Sequence, residues 1–205
     1  HKAIRRQRQM CIRDRNKTLI FYTNGLLGSR KSQTYSNFND FMYNLSYWSS
    51  WSNGFNIWKS EFDKIDKNLK LNKLFPHTSL FLTQHQAKLF CINDNLLFDV
   101  QRIPKRGGHN KFEAFTIEYP SLLDECCKKG HISTKCKKHI LFGIMVQFLP
   151  SLLFNKYIIR IETFDDTGFR DNLKKYYPSY AYWLVLISVL GVPFRLFCRK
   201  LKNKR

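Results

Sequence analysis

The chain has 205 residues, a formal net charge of +20 and a mean hydropathy of −0.40. The charge gathers at the ends: residues 1–15 supply +5 and Arg195 onward +6, leaving +9 over residues 16–194, so a nucleic-acid partner resting on the whole charge is disfavoured. After Cys11 the cysteines are Cys91, Cys126, Cys127, Cys136 and Cys198, an odd and irregular set that argues against a secreted disulfide framework.

In chain order, Met10-Cys11-Ile12-Arg13-Asp14-Arg15 resembles the translation of a transposase adapter end used in fragment-library sequencing. Residues 1–15 are therefore expected to be a sequencing artefact, with the reading frame entering mid-gene, and are set aside. Thr18–Tyr22 reads as a strand that closes on the Asn24-Gly25 turn signal, and the polar Ser29–Asn39 reads as loop. Phe38, Phe41, Leu45, Trp48, Trp51, Phe55, Trp58 and Phe62 keep a helical spacing, with a break expected around Trp51 at Asn53-Gly54 and the flanking serines. This aromatic segment reads as core packing, with an interfacial membrane segment as the alternative. Phe55–Leu74 predicts an amphipathic helix, with Trp58, Phe62, Ile65 and Leu69 on one face and Pro76 closing it.

Leu80–Thr83 and Lys88–Ile92 predict strands, the second forming a hairpin with Leu96–Ile103 across Asn93-Asp94-Asn95. Phe115, Ile117 and Tyr119 alternate with Thr116 and Glu118 as a half-buried strand would. Ser121–Lys129 predicts a helix stopped by Gly130. Ile140–Phe154 is 15 uncharged residues, short of a comfortable span, and reads as a core, re-entrant or second membrane segment (residues 140–154). Tyr157–Phe164 predicts a strand that turns at Asp165-Asp166-Thr167-Gly168.

Three groups of residues carry chemical signals. Cys126, Cys127, His131, Cys136 and His139 are ligand types, and Cys-x3-His-x4-Cys-x2-His can in principle close a zinc tetrahedron. The spacing matches no familiar finger, and the lysines between Lys128 and Lys138 repel a cation. Inert cysteines are the favoured reading, and acylation of Cys126, Cys127 or Cys198 is a further one. Arg102, Lys105, Arg106 and Lys111 surround Gly107-Gly108, where backbone N–H groups can approach an anion such as a lipid headgroup. A solvated loop is the plain alternative, because no Walker pattern is present. The histidines are scattered and no nucleophile motif stands near them, so a non-enzymatic role is expected.

From Tyr176 to Phe194 there are 19 residues without a charge. At about 1.5 Å per residue, that is close to the ~30 Å of a hydrocarbon core. A transmembrane helix is therefore expected at residues 177–197, followed by a basic tail at 198–205. Tyr180, Tyr182 and Trp183 would form an interfacial belt, and Arg195, Arg199 and Lys200 the opposite interface. The basic tail puts the C-terminus in the cytoplasm by the positive-inside rule. The expected fold is an α+β membrane-anchored domain over residues 16–175, strand-rich at its centre, with a C-terminal transmembrane helix.

The order Phe154-Asn155-Lys156-Tyr157-Ile158-Ile159-Arg160-Ile161, then Asp165-Asp166, then Tyr176 to Trp183, then Leu190-Gly191-Val192-Pro193-Phe194-Arg195, resembles the end of transmembrane protein 151 family members. There a strand and an acidic turn lead into an aromatic-rich span that closes on Pro-aromatic-Arg or Pro-Leu-Arg. The resemblance implies membrane spans upstream of this chain and brings no assigned chemistry. It also implies a cytoplasmic domain with the C-terminus outside, opposite to the charge rule. The expectation is an integral protein of the endomembrane system or plasma membrane, carrying a protein- or lipid-interaction domain. Its partners would be the bilayer, anionic headgroups and another protein, with nucleic acid not expected. The alternatives are a membrane-tethered enzyme, or a basic nucleic-acid or zinc module whose last helix is core.

Overall fold

The computed structural model describes residues 17–97 and 110–203, with side chains through Cys198 in the last helix. The described residues form two compact units: 17–97 with 125–137, and 110–124 with 138–203. The single domain expected over 16–175 is thus divided. Helices predominate, and the strands belong to one small sheet in the first unit.

In the first unit, β1 (Leu19–Tyr22), β2 (Ser32–Tyr35) and β3 (Phe90–Asn93) form a sheet of order β1-β3-β2. β3 is parallel to β1, with Leu19 opposite Phe90, and antiparallel to β2, with Tyr35 opposite Phe90. All four residues of β3 are buried, as a central strand of Phe, Cys and Ile predicts. The hairpin expected between β3 and Leu96–Ile103 is replaced by these partners: Leu96 and Leu97 are exposed and in no strand, and 98–103 lie outside the described residues. β2 arises inside the stretch read as loop. Its residues are mostly exposed and polar, so no alternating apolar pattern announces it.

α1 (Phe38–Leu45) buries Phe38, Phe41, Met42 and Leu45, and Asn37 caps it by accepting from the Asp40 N–H at 2.8 Å. Phe41 stacks on Phe90 at 5.2 Å, and Phe81 lies edge-on to Phe21 at 5.5 Å, so aromatic rings fill the core. The helical period breaks near Trp51, as expected. Ser49 and Ser50 turn their hydroxyls back to the carbonyls of Ser46 and Tyr47, and the chain tightens into 3-10 turns. Gly54 lies against β1: a Cβ there would meet Phe21 Cε1 at 2.2 Å and the Tyr22 carbonyl oxygen at 2.6 Å. Gly54→Ala is expected to cost about 1–3 kcal/mol, read as a lower urea midpoint with unchanged slope.

The long helix expected over Phe55–Leu74 shrinks to one turn, α2 (Lys59–Phe62). Side-chain oxygens take the backbone donors that a helix would use. Asp66 accepts from Asn68 N–H at 2.9 Å, and Asn72 accepts from Leu74 and Phe75 N–H at 2.9 and 3.0 Å. Pro76 opens α3 (Pro76–Leu82) instead of closing a helix, because its missing N–H costs nothing at a first turn. α3 replaces the strand expected at Leu80–Thr83.

Asp94, fully buried just after β3, organises the loop that follows β1. Its carboxylate accepts from Thr23 Oγ1 at 2.6 Å, from Ser29 Oγ at 3.0 Å, and from the N–H groups of Leu27, Ser29 and Arg30 at 3.1, 2.8 and 3.0 Å. The loop turns through Asn24 and Gly25, both at positive φ, as the Asn-Gly signal predicts.

The strand expected at Phe115–Tyr119 is helical. Phe112, Thr116, Tyr119 and Leu123 are the fully buried positions, a helical period hidden by a polar member. Thr116 hides its polarity by donating to the Phe112 carbonyl at 2.6 Å. A turn of helix at Lys111–Glu113 and a π-helical stretch at Ala114–Glu118 lead into α4 (Tyr119–Lys128). Gly130, at φ +74°, follows its end, as expected.

α5 (Thr134–Gly143), a π-helical turn, α6 (Leu149–Leu153) and a second π-helical turn join as one helix, Thr134–Ile158. Among the described residues it is the one unbroken helix long and apolar enough to cross a membrane, and its most apolar stretch is half buried. Its C-terminal end overrides the strand expected at Tyr157–Phe164. There Ile161 N–H returns to the Asn155 carbonyl at 3.0 Å, with Arg160 at positive φ. The acidic turn is present: Asp165 accepts from Thr167, and Gly168 starts α7 (Phe169–Leu173).

The single transmembrane helix expected at 177–197 is two helices, α8 (Ala181–Leu190) and α9 (Val192–Asn203), bent by 51° at Gly191. Pro193 brings no N–H to the helical ladder, which loosens the joint. Tyr177 lies outside α8: it is buried and donates to the Phe115 carbonyl at 2.8 Å. Burial pushes its phenol pKa well up.

Candidate membrane-facing site

The bent pair α8–α9 distributes its side chains in reverse of a water-soluble helix. Its buried residues are small: Ala181, Val185 and Val192. α8 packs on the Ile144–Leu153 stretch, where Ile144, Met145, Leu149, Pro150, Leu152 and Leu153 are buried. The large residues point outward. Trp183, Ile187, Leu190, Phe194 and Phe197 are 59%, 64%, 81%, 71% and 60% exposed, at helical spacing along one stripe. In water each such side chain forgoes about 1.5–3 kcal/mol of burial. A helix that turns its small residues to a neighbouring helix and its large ones outward has an arrangement that lipid favours.

Of the expected interface residues, Tyr180, Tyr182 and Trp183 stand at the start of this stripe and Arg195 between Phe194 and Phe197. Tyr180 is exposed at the start of α8, and Tyr182 packs edge-on to Trp183 at 5.4 Å with Arg170 over its ring. Ile158, Ile159 and Ile161, at and beyond the end of the Thr134–Ile158 helix, are exposed as well. Arg195 folds back to donate to the Ser188 carbonyl at 3.4 Å, which also accepts from the Gly191 N–H at 3.2 Å. A cation there complements the negative end of the helix dipole. Arg199 and Lys200 continue the α9 backbone, and their side chains lie outside the described ones.

The loop at this end is held by half-buried ion pairs. Lys156 pairs with Asp166 at 2.7 Å and donates to the Phe164 carbonyl at 2.8 Å; Lys111 pairs with Glu162 at 2.6 Å and lies over the Phe164 ring. Burial alone would raise the Asp166 pKa, but hydrogen bonds from Lys156 and Tyr157 outweigh it and hold the carboxyl below the usual range. Lys111 is thereby engaged with Glu162 and does not stand free as an anion ligand. Arg102, Lys105 and Arg106 lie outside the described residues.

The cysteines and histidines of the candidate zinc set each have other surroundings. Cys126 is buried, Cys127 meets the Thr134 hydroxyl at 3.7 Å, and the Cys136 thiol donates to the Asn39 carbonyl at 3.6 Å. His131 stacks on His85 with ring centroids 3.5 Å apart, a geometry that turns both rings' nitrogens away from a shared ligand point. His139 belongs to the other unit. Among the described residues no three His, Cys, Asp or Glu side chains converge on a metal position. Burial, with neighbouring thiols adding to it, pushes the Cys126 thiol up to about 12, which leaves little thiolate at neutral pH.

Two features escape sequence reasoning. Asp94 carries no signature beyond a turn-forming triplet, and its donors lie 64–71 residues away. The His85–His131 stack joins residues 46 positions apart, outside any motif. No known protein family, curated protein or solved structure matches the chain.

Proposed function

We propose that this chain is an integral membrane protein without a catalytic role, held by the α8–α9 pair and the Thr134–Ile158 helix, and carrying a protein- or lipid-interaction domain. The observation that carries this reading is the outward stripe of Trp183, Ile187, Leu190, Phe194 and Phe197 over a packing side of alanine and valine. A buried core helix would reverse those two sides. The resemblance of residues 154–195 to the transmembrane protein 151 family agrees with it. The three-stranded unit is the interaction domain in this reading: β2 is a short, polar, exposed edge strand available for contact.

The test is alkaline carbonate treatment of membranes from cells expressing the chain, followed by detergent. Retention in the pellet after carbonate and release by detergent is the expected result. Release by carbonate alone would overturn the reading.

A further inference from the structure

The two halves of the bent pair differ in character. α8 reads Ala-Tyr-Trp-Leu-Val-Leu-Ile-Ser-Val-Leu and has no charge on any side, as a helix within hydrocarbon requires. α9 begins Val-Pro-Phe-Arg-Leu-Phe-Cys-Arg-Lys and alternates apolar with basic residues at helical spacing. Phe194, Leu196 and Phe197 are exposed, and from Arg195 to Arg205 there are six cations and no acid. An apolar side with cations on an amphipathic helix suits the boundary between headgroups and acyl chains.

We propose that α9 is not the continuation of a span but a helix lying along an anionic leaflet. Phe194 and Phe197 enter the acyl boundary, and the basic sequence that follows them, with Arg199, Lys200 and Lys202, suits a surface of lipid phosphates. The proposal rests on the membrane reading above. The 51° bend supplies the geometry: α8, ten residues long and so about 15 Å, enters one leaflet without crossing the ~30 Å core, and the bend turns α9 away from its axis toward the leaflet surface. Arg195, turned back to the Ser188 carbonyl, places a cation beside the end of α8 at this corner. The partner is an anionic phospholipid surface, because the sequence from Arg195 to Arg205 holds six cations and no acid.

The experiment uses the full chain, reconstituted into vesicles of phosphatidylcholine alone or of phosphatidylcholine with phosphatidylserine. A genetically encoded fluorescent residue replaces Leu190, Phe194, Phe197 or Leu201 in turn, and lipid-borne quenchers report its depth. The expected result is one shared shallow depth at 194, 197 and 201, a deeper position at 190, and firmer seating with phosphatidylserine. The triple variant Arg199→Gln/Lys200→Gln/Lys202→Gln is expected to weaken seating about fivefold for each cation removed. A steady change in depth of about 10 Å from 194 to 201, as a straight helix crossing the bilayer gives, would overturn the proposal. So would seating indifferent to phosphatidylserine and to the triple variant, or absence of quenching at 194, 197 and 201 with quenching kept at 190. Absence of quenching at 190 as well would instead sink the membrane reading itself.

Discussion

Asp94→Ala is expected to destabilise the three-stranded unit by about 3–5 kcal/mol, a large share of the total stability of an ordinary domain. The carboxylate is fully buried and gathers donors from Thr23, Leu27, Ser29 and Arg30. Removing it leaves those donors facing one another without an acceptor. Asp94→Asn keeps one acceptor oxygen and is expected to lose less, about 2–3 kcal/mol. Trp48, Trp51 and Trp58 lie in this unit, so tryptophan fluorescence of the detergent-solubilised chain in urea can follow its unfolding. A midpoint unchanged in Asp94→Ala would refute the role.

The same site sets a pH dependence. Burial alone would raise the Asp94 pKa; the hydrogen bonds from Thr23, Arg30, Leu27 and Ser29 outweigh it and hold the carboxyl below its usual value. Its stabilisation is therefore complete above the unfolded-state value of about 3.9 and is lost as the pH falls from there through the folded-state value. The urea midpoint of the parent chain should fall over that acid window, and Asp94→Asn should flatten the fall. The parallel pairing of β1 and β3 depends on this carboxylate as well, since it ties the end of one strand to the loop after the other.

The second large effect concerns where Ile187 resides. Ile187 is 64% exposed on α8. If that side met water, Ile187→Asp would change stability by no more than about 0.5 kcal/mol. Against hydrocarbon, an aspartate near the middle of a helix costs about 2.5–3.5 kcal/mol. The expected outcome is a marked loss of carbonate-resistant protein for Ile187→Asp and for Leu190→Asp, with Ile187→Leu unchanged. Ser188 supplies a control on the same turn: it is half-buried, and Ser188→Ala is expected to leave membrane retention intact. Equal retention in the aspartate variants would place this stripe away from lipid.

Much of the fold was open to sequence reasoning where the determining contacts are local. The Asn24-Gly25 turn, the stop at Gly130, the break near Trp51 and the Asp165 to Gly168 turn each depend on residues within a few positions of one another. The uncharged run before Arg195 and its aromatic start are properties of composition, and they hold whatever the chain packs against. Readings failed where competing local signals were close in energy. The period of Trp58, Phe62, Ile65 and Leu69 favoured a helix, but Asp66 and Asn72 captured the backbone donors. The alternation at Phe115, Ile117 and Tyr119 suggested a strand, but Thr116 could join the buried helical stripe by satisfying its hydroxyl within the helix.

By itself, then, the sequence determined the apolar and basic character of the last 30 residues, the turns, and the first and third strands, because these follow from short-range sterics and composition. Tertiary structure alone decided the partners of β3, the strand character of Ser32–Tyr35, the burial of Asp94 and the surroundings of the cysteines and histidines. It also decided that α8 turns its small residues inward and its large ones outward. Each of these depends on groups brought together from distant parts of the chain. The energy of such contacts is set by burial and directional hydrogen bonding in three dimensions, which no local pattern encodes.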